Sequence, residues 1–512
     1  MAGPVLFLFV LGVATARYGE GALAFALGGD ARNHVLIARQ ILAVGGMNDV
    51  ILAEIPALSN SVLALVIATR GRGFALPYQT LSTEFEAVAA LVIGATILWS
   101  LTAAGLIWAV GGLHRRVQAL ALAAASLIPL TGLGLGVALK SGFFSVVFAM
   151  PLLIAALMLS AWAIRARRRR QGSMITWAAI AMILPVAATT WSPMLPVEAM
   201  VVVGAIMGFH RRSMARETLK AVYVTGAGMV AAVLLILPLL RGPQLSAVTA
   251  TGSILPPPPA VFASVPIIVL AIALAGLSRI RRSVFLPYLL GTVGACAVVA
   301  YAVAQQPPSL EWNYYPSKVA WMWVLVGFPL LLTPAAFVVP GRAKAELARR
   351  VLPMAFAAVG SIAVLALAAT SVRVSSPLLP PTAVALSPGG QDPAGTALIL
   401  NGWREPDWRT VDAVRDLATQ NQSLVLWDYF DPGNDRLGNF WLAAYDQLRV
   451  PTETFVRFFR WAADEDAVNL DQLCDLLRND PARIVATRNS ALPAIVRSRC
   501  GLSAERVWVA PT

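Results

Sequence analysis

Of 512 residues, 58% are hydrophobic and only 13% charged, about half the charged fraction of a soluble globular chain. That balance excludes a wholly water-soluble enzyme and points to repeated membrane crossing. The net charge of +13 does not indicate nucleic-acid binding, because the basic residues cluster in short loops between apolar runs, a pattern of membrane topology.

A crossing helix takes about 20 mostly apolar residues. Runs of that kind occur near 3–27, 87–110, 118–138, 144–164, 173–190, 193–209, 221–240, 260–277, 284–304, 319–340 and 351–371. The composition therefore predicts a polytopic α-helical membrane protein with about eleven transmembrane helices over 1–371. Arg17 and Glu20 interrupt the first run. A cleaved signal peptide is the rival reading there, but the usual basic leading segment is absent.

The loops at 114–116, 165–170, 210–220, 279–282 and 342–350 together hold 18 Lys and Arg. The opposite set, after the first loop, holds only Lys140, Arg241 and Lys318. By the positive-inside rule the rich set is cytoplasmic. The expected protein is a multi-pass plasma-membrane protein with a cytoplasmic N-terminus. The first loop, 28–86, and the tail then face the extracytoplasmic side.

The first outer loop opens Gly28-Gly29-Asp30-Ala31-Arg32-Asn33-His34, and 31–44 reads as an amphipathic helix lying along the interface. A second half-apolar stretch, 50–69, broken by Pro56 and Asn60, reads as another interfacial helix or a re-entrant segment. The first 371 residues hold ten Asp and Glu, and six of them, Glu20, Asp30, Asp49, Glu54, Glu84 and Glu86, lie between 20 and 86. Carboxylates close to a bilayer are costly unless solvated or paired, so this concentration calls for a function. Asp30 follows two glycines that permit a sharp turn. It is either a general base facing a membrane-level cavity or the N-cap of the following helix. His34, one turn on, shares a face with Asp30 or is an interfacial polar residue. No metal site is expected.

Glu198 falls inside a span, where an acid usually faces a cavity or a partner. A one-turn shift of the boundary would instead return it to the outer loop beside Thr189, Thr190 and Trp191. The loop 305–318 reads Gln-Gln-Pro-Pro-Ser-Leu-Glu-Trp-Asn-Tyr-Tyr-Pro-Ser-Lys. Lys318 is a rare outer-side cation suited to a phosphate at the membrane surface, with Tyr314 and Tyr315 as hydrogen-bond donors and Glu311 as a neighbouring carboxylate. The alternative is ordinary interfacial anchoring. Arg241 and Lys140 are weaker candidates for the same role.

The tail, 372–512, holds 14 Arg, no Lys and 17 Asp plus Glu. Pro/Ser-rich sequence marks 372–395 as a linker. Over 396–512, strand patterns at 397–400, 423–427, 483–486 and 507–510 alternate with helical ones around 407–419, 437–448, 468–478 and 491–498, predicting a small α/β domain. Trp427, Asp428, Asp431 and Asp435 concentrate aromatic and acidic groups after a strand, as a glycan-binding patch or as an Asp/Gly-rich turn. Cys474 and Cys500 both lie in this tail, where an oxidising compartment permits a disulfide. Cys296, in an apolar run, reads as a small core residue.

This layout resembles the GT-C glycosyltransferases, membrane enzymes that use polyprenyl-phosphate sugars on the outer face. Their first outer loop carries a catalytic acid just after the first span, followed by juxtamembrane helices. Asp30, the 31–44 helix and the 50–69 segment match that plan. The Ala- and Arg-rich composition looks actinobacterial, and Tyr314-Tyr315-Pro316-Ser317-Lys318 is similar to a loop of cell-wall arabinofuranosyltransferases. Two features depart from the pattern. Many relatives pair acids in the first loop, whereas Asp30 stands alone and leaves Asp49, Glu84 or Glu86 as second acids. The tail also looks α/β, where several arabinosyltransferases carry β-sandwich modules.

The resemblance implies inverting transfer of a sugar, arabinofuranosyl being favoured, from a polyprenyl-phosphate donor to a cell-envelope glycan acceptor. Asp30 would serve as general base, with Lys318, Tyr314 and Arg241 at the lipid phosphate and no cofactor required. A mannosyltransferase of the same fold stands next to it. A transporter or flippase and a non-catalytic envelope-assembly scaffold are the alternatives of other classes. The spans carry few charges and show no repeated halves, which disfavours transport.

Overall fold

The computed structural model describes residues 2–18, 31–44, 57–69, 77–111, 115–141, 144–165, 170–210, 215–240, 259–275, 279–305, 314–336, 424–429, 439 and 470–510. Among them, seven helices are long and apolar enough to cross a membrane: Glu86–Val110, Gln118–Leu139, Phe144–Arg165, Ser192–His210, Ala215–Leu237, Ser283–Ala304 and Tyr315–Thr333. The expected runs at 3–27, 173–190 and 260–277 give shorter apolar helices, Ala2–Arg17, Met174–Thr190 and Phe262–Leu274. The expected span at 351–371 lies outside the described residues. The protein is a mostly helical membrane-embedded protein, since only a helix satisfies the backbone of such runs within one segment.

In chain order the helices are α1 (Ala2–Tyr18), α2 (Ala31–Val44), α3 (Ala57–Thr69), α4 (Pro77–Val110), α5 (Arg115–Leu127), α6 (Val137–Ser141), α7 (Phe144–Arg165), α8 (Arg170–Thr190), α9 (Leu195–His210), α10 (Ala215–Leu240), α11 (Pro259–Ala275), α12 (Arg279–Ala304) and α13 (Tyr314–Gly327). A 3-10 segment, Phe328–Ala336, continues α13. Pro77 opens α4, where its missing N–H costs nothing. The helix ends at Gly111, whose φ of +57° suits glycine and whose N–H returns to the Ile107 carbonyl at 3.0 Å. Arg165 of α7 donates to the Ala109 carbonyl at 2.9 Å, satisfying another exposed end group of α4.

The run at 118–138 is expected as a span, and Gln118–Leu139 is long and apolar enough to cross, but it is not one regular helix. α5 passes into a 3-10 turn at Ile128–Leu130 and a wide turn at Gly132–Gly136 before α6 begins. Pro129 removes a helical donor and glycines at 132, 134 and 136 relax the backbone. The indole Nε1 of Trp321 donates to the freed Leu133 carbonyl at 2.6 Å, the kind of replacement partner that a broken helix needs inside a membrane.

α7 and α13 form the interior of the bundle. Val146, Val147, Met150, Leu153 and Ile154 of α7 are buried in one cluster with Val319, Trp323, Leu325 and Phe328. α10 has a lipid-like outer face instead, with Tyr223, Val230, Leu234 and Leu235 exposed. α9 and α12 approach closely because both carry glycine at the contact. A Cβ on Gly294 would meet the Pro196 carbonyl at 2.9 Å, and one on Gly204 the Leu286 carbonyl at 2.6 Å. Cys296 is exposed on α12, which corrects the core reading: its side of the helix faces the apolar surroundings.

The C-terminal region contains a three-stranded parallel sheet of order β1 (Leu424–Leu426), β2 (Ile484–Thr487) and β3 (Val507–Val509). α14 (Leu470–Asn479) packs Leu473, Cys474, Leu476 and Leu477 into a core with Val425, Val485, Leu492 and Val496. A disulfide joins Cys474 to Cys500. Arg506 donates to the carbonyls of Leu477 and Asp480 at 3.1 and 2.6 Å, capping the end of α14. The strand expected at 397–400, the helices at 407–419 and 437–448 and the linker at 372–395 lie outside this description.

Candidate functional site

Two polar assemblies stand among the described membrane helices. The first ties α2 and α3 to the bundle. Nδ1 of His34 on α2 is 2.7 Å from Oδ1 of Asn60 on α3, and its ring lies 5.0 Å from that of Phe144 at the start of α7. One turn further along α2, Arg39 grips Glu84 of α4 with two hydrogen bonds, Nε to Oε1 at 2.6 Å and Nη2 to Oε2 at 2.5 Å. Glu84 is buried, so the bidentate geometry offsets much of its desolvation cost.

α2 therefore carries a polar anchor at each of two levels, and it buries Val35, Ile37 and Ala38 as well. Its polar side chains are as much a part of the packing as its apolar ones. His34 is a buried residue paired with Asn60. Glu84 is an ion-pair partner, while Glu86, two residues on, is exposed. Asp30 directly precedes α2 in the chain and lies outside the described residues, as do Asp49, Arg241 and Glu311.

The second assembly joins the start of α13 to the turn between α8 and α9. Lys318 is only 4% exposed, and its Nζ lies over the Trp191 ring, 5.4 Å from the centroid. Tyr315, one turn before it, stacks nearly parallel to the same indole with centroids 6.4 Å apart. Ser317 is fully buried beside them in sequence. Tyr314 is the first residue of α13. A buried lysine on an aromatic face keeps its charge favourably placed.

Trp191 is held by its own backbone, with its N–H on the Ala187 carbonyl at 2.8 Å. The Thr189 and Thr190 hydroxyls donate to the carbonyls of Pro185 and Val186, each at 2.7 Å. After the short turn Ser192–Met194, α9 begins at Leu195 and Glu198 falls within its first turn. Glu198 is 1% exposed, so it belongs inside the bundle and not in the loop.

In the tail, Trp427, Asp428 and Tyr429 follow β1 directly, at the carboxyl ends of the parallel strands. Asp428 is exposed, with φ of +48°. Its carbonyl accepts from the Arg488 N–H at 3.0 Å and its Oδ2 from Asn489 Nδ2 at 3.2 Å. Arg488 lies over the Tyr429 ring at 5.3 Å, and Tyr429 stacks with Trp508 at 6.2 Å. Asp431 and Asp435 lie outside the described residues.

Sequence reasoning missed the partners: Asn60 for His34, Arg39 for Glu84 and Arg488 with Asn489 for the strand edge. Asn60 carried the one available signal, an amide side chain set between two serines at the start of a largely apolar helix. Compared with known proteins, the chain matches no family model and no curated protein sequence.

Proposed function

We propose that the protein is a membrane glycosyltransferase of the GT-C type, transferring a sugar from a polyprenyl-phosphate donor to a glycan of the cell envelope. The observation that carries this reading is Lys318, a buried cation set on Trp191 beside Tyr315 at the first turn of a span. A lipid-linked phosphate carries its charge at the membrane surface with its chain in the apolar region, and a cation near the start of a span suits it. The helices α2 and α3, anchored through His34–Asn60 and Arg39–Glu84, add to it, because α2 directly follows Asp30 in the chain.

In this mechanism an acceptor hydroxyl attacks the anomeric carbon of the donor. The new glycosidic C–O bond forms as the bond to the lipid phosphate breaks, with inversion. The proton passes to the Asp30 carboxylate as general base. The charge that develops on the departing phosphate is met by Lys318 and Tyr315. Arabinofuranose is the sugar this reading favours and mannose the next.

The reading places the acceptor side and the tail outside the cell. The Cys474–Cys500 disulfide supports that placement, since disulfides persist in oxidising compartments. A transporter would draw on Glu198, an acid within a span. The deciding experiment supplies purified protein in lipid with radiolabelled decaprenyl-phosphate arabinose or mannose and envelope glycan fragments, comparing wild type with Asp30→Asn. Sugar transfer by wild type, lost in the variant, is expected. No transfer of either sugar by folded wild-type protein would reject the reading.

A further inference from the structure

Glu198 is the membrane-embedded group whose placement the assembly above leaves without a use. It is 1% exposed, and neither Oε1 nor Oε2 has a hydrogen-bond partner among the described residues. A buried carboxyl without a partner is costly, and native interiors rarely keep one without a reason. Replacement by an apolar residue would be the cheaper solution if only packing were at stake.

The level of Glu198 follows from its neighbours along the chain. Trp191, just ahead of α9, contacts Lys318 and Tyr315 at the start of α13. Deeper in, Val201 of α9 and Trp323 of α13 lie against the same point of α12, where a Cβ on Gly291 would meet Trp323 at 2.4 Å and Val201 at 2.8 Å. The two helices thus descend side by side from the Trp191 end. Glu198 sits between those levels, seven residues past Trp191, or roughly 10 Å along the chain at helical rise. Glu198 of α9 therefore lies at a level between the Trp191–Lys318 contact and the Val201–Trp323 pair.

We propose that Glu198 binds hydroxyl groups of the sugar on an anionic glycolipid whose phosphate is held at Lys318. This rests on the phosphate-binding reading of Lys318 given above. Hydroxyls would supply the donors that the carboxyl lacks. The carboxyl is then a ligand-binding group, absent from the proton transfer assigned to Asp30.

The test is binding of two lipids to full-length protein in nanodiscs: bare decaprenyl phosphate, and the same lipid carrying arabinose or mannose. Replacing Glu198 by Leu is expected to weaken the sugar-bearing lipid about tenfold to a hundredfold. Bare decaprenyl phosphate should bind as it does to wild type. Glu198→Gln, which keeps an acceptor and the volume, should bind the sugar lipid more tightly than the Leu variant. Glu198→Met supplies the same comparison should the Leu protein not fold. Equal weakening of both lipids, or none of either, would overturn the proposal. Lys318→Met separates the two readings: it should weaken both lipids, and if it weakens neither the phosphate site itself is wrong.

Discussion

Nζ of Lys318 lies 5.4 Å from the centre of the Trp191 ring, joining the first turn of α13 to the turn between α8 and α9. The contact places a lysine at the boundary of an apolar bundle without exposing it. Tyr315 lines the same indole on a near-parallel plane. The three side chains form one rigid group from two distant stretches of chain.

If this group holds the donor phosphate, Lys318→Met should lower sugar transfer by about a hundredfold or more, the scale of losing one preorganised charge-stabilising group. Trp191→Leu should cost less, because it loosens the lysine and leaves its charge in place. Trp191→Phe should retain most activity. Initial rates at saturating and limiting donor would measure each loss. Full activity in Lys318→Met would remove the residue from the site.

The Arg39–Glu84 pair makes a separate prediction about stability. Its side chains are 16% and 2% exposed, so Arg39→Ala removes the guanidinium from a buried carboxylate. A loss of about 3–5 kcal/mol is expected. The double replacement Arg39→Met with Glu84→Leu should recover much of it, because neither charge then remains buried. Thermal unfolding of the four proteins in one lipid mixture completes the cycle, and additive losses would show that the pair contributes nothing.

Gly111 should tolerate no side chain. Its φ is +57°, and a Cβ there would meet the guanidinium of Arg165, which caps α4 through the Ala109 carbonyl. Gly111→Ala is expected to cost about 1–3 kcal/mol from backbone strain alone, with a further loss from displacing Arg165. A wild-type unfolding midpoint in this variant would argue against the cap.

Glu198 predicts the opposite sign. Since its carboxyl has no partner among the described residues, Glu198→Leu should stabilise the ligand-free protein by about 1–3 kcal/mol. Unfolding of wild type and variant without added lipid would show it. A lower midpoint in the variant would mean that the carboxyl is satisfied within the protein.

The tail disulfide gives a topological prediction. Cys474 and Cys500 are bonded and lie 26 residues apart. Rapid alkylation of intact cells, followed by mass analysis of the tail peptides, should find both thiols protected until reductant is added. Free, alkylated thiols in cells would place the tail in a reducing compartment. Removing the pair is expected to destabilise the tail unit by about 2–4 kcal/mol.

Much of the architecture is visible in the chain before any coordinates. An apolar run in lipid has little choice but helix, because each backbone polar group must be satisfied inside its own segment. Hence Glu86–Val110, Phe144–Arg165 and Ser283–Ala304 fall within a few residues of the expected spans. The α2 helix follows from amphipathic spacing in the same way. So do the strands Leu424–Leu426, Ile484–Thr487 and Val507–Val509, each a short β-prone run between turn residues.

What composition does not determine is which helix lies inside. α10 and α13 are both apolar, yet one shows its side chains to the surroundings while the other is enclosed, and the enclosed one is not the more apolar of the two. The break at Gly132–Gly136 is a related case: proline and glycine permit it, but Trp321 from far along the chain supplies the hydrogen bond that makes it tolerable. The site pairs are of the same kind. Asn60, Arg39 and Trp191 become partners of His34, Glu84 and Lys318 only through long-range packing. A hydrogen bond or ion pair depends on distances of a few ångströms between groups that local sequence leaves unrelated. Sequence alone therefore determined the apolar runs that become helices, the three described strands and the chemical groups available, and the tertiary structure decided where a run breaks and which of those groups meet.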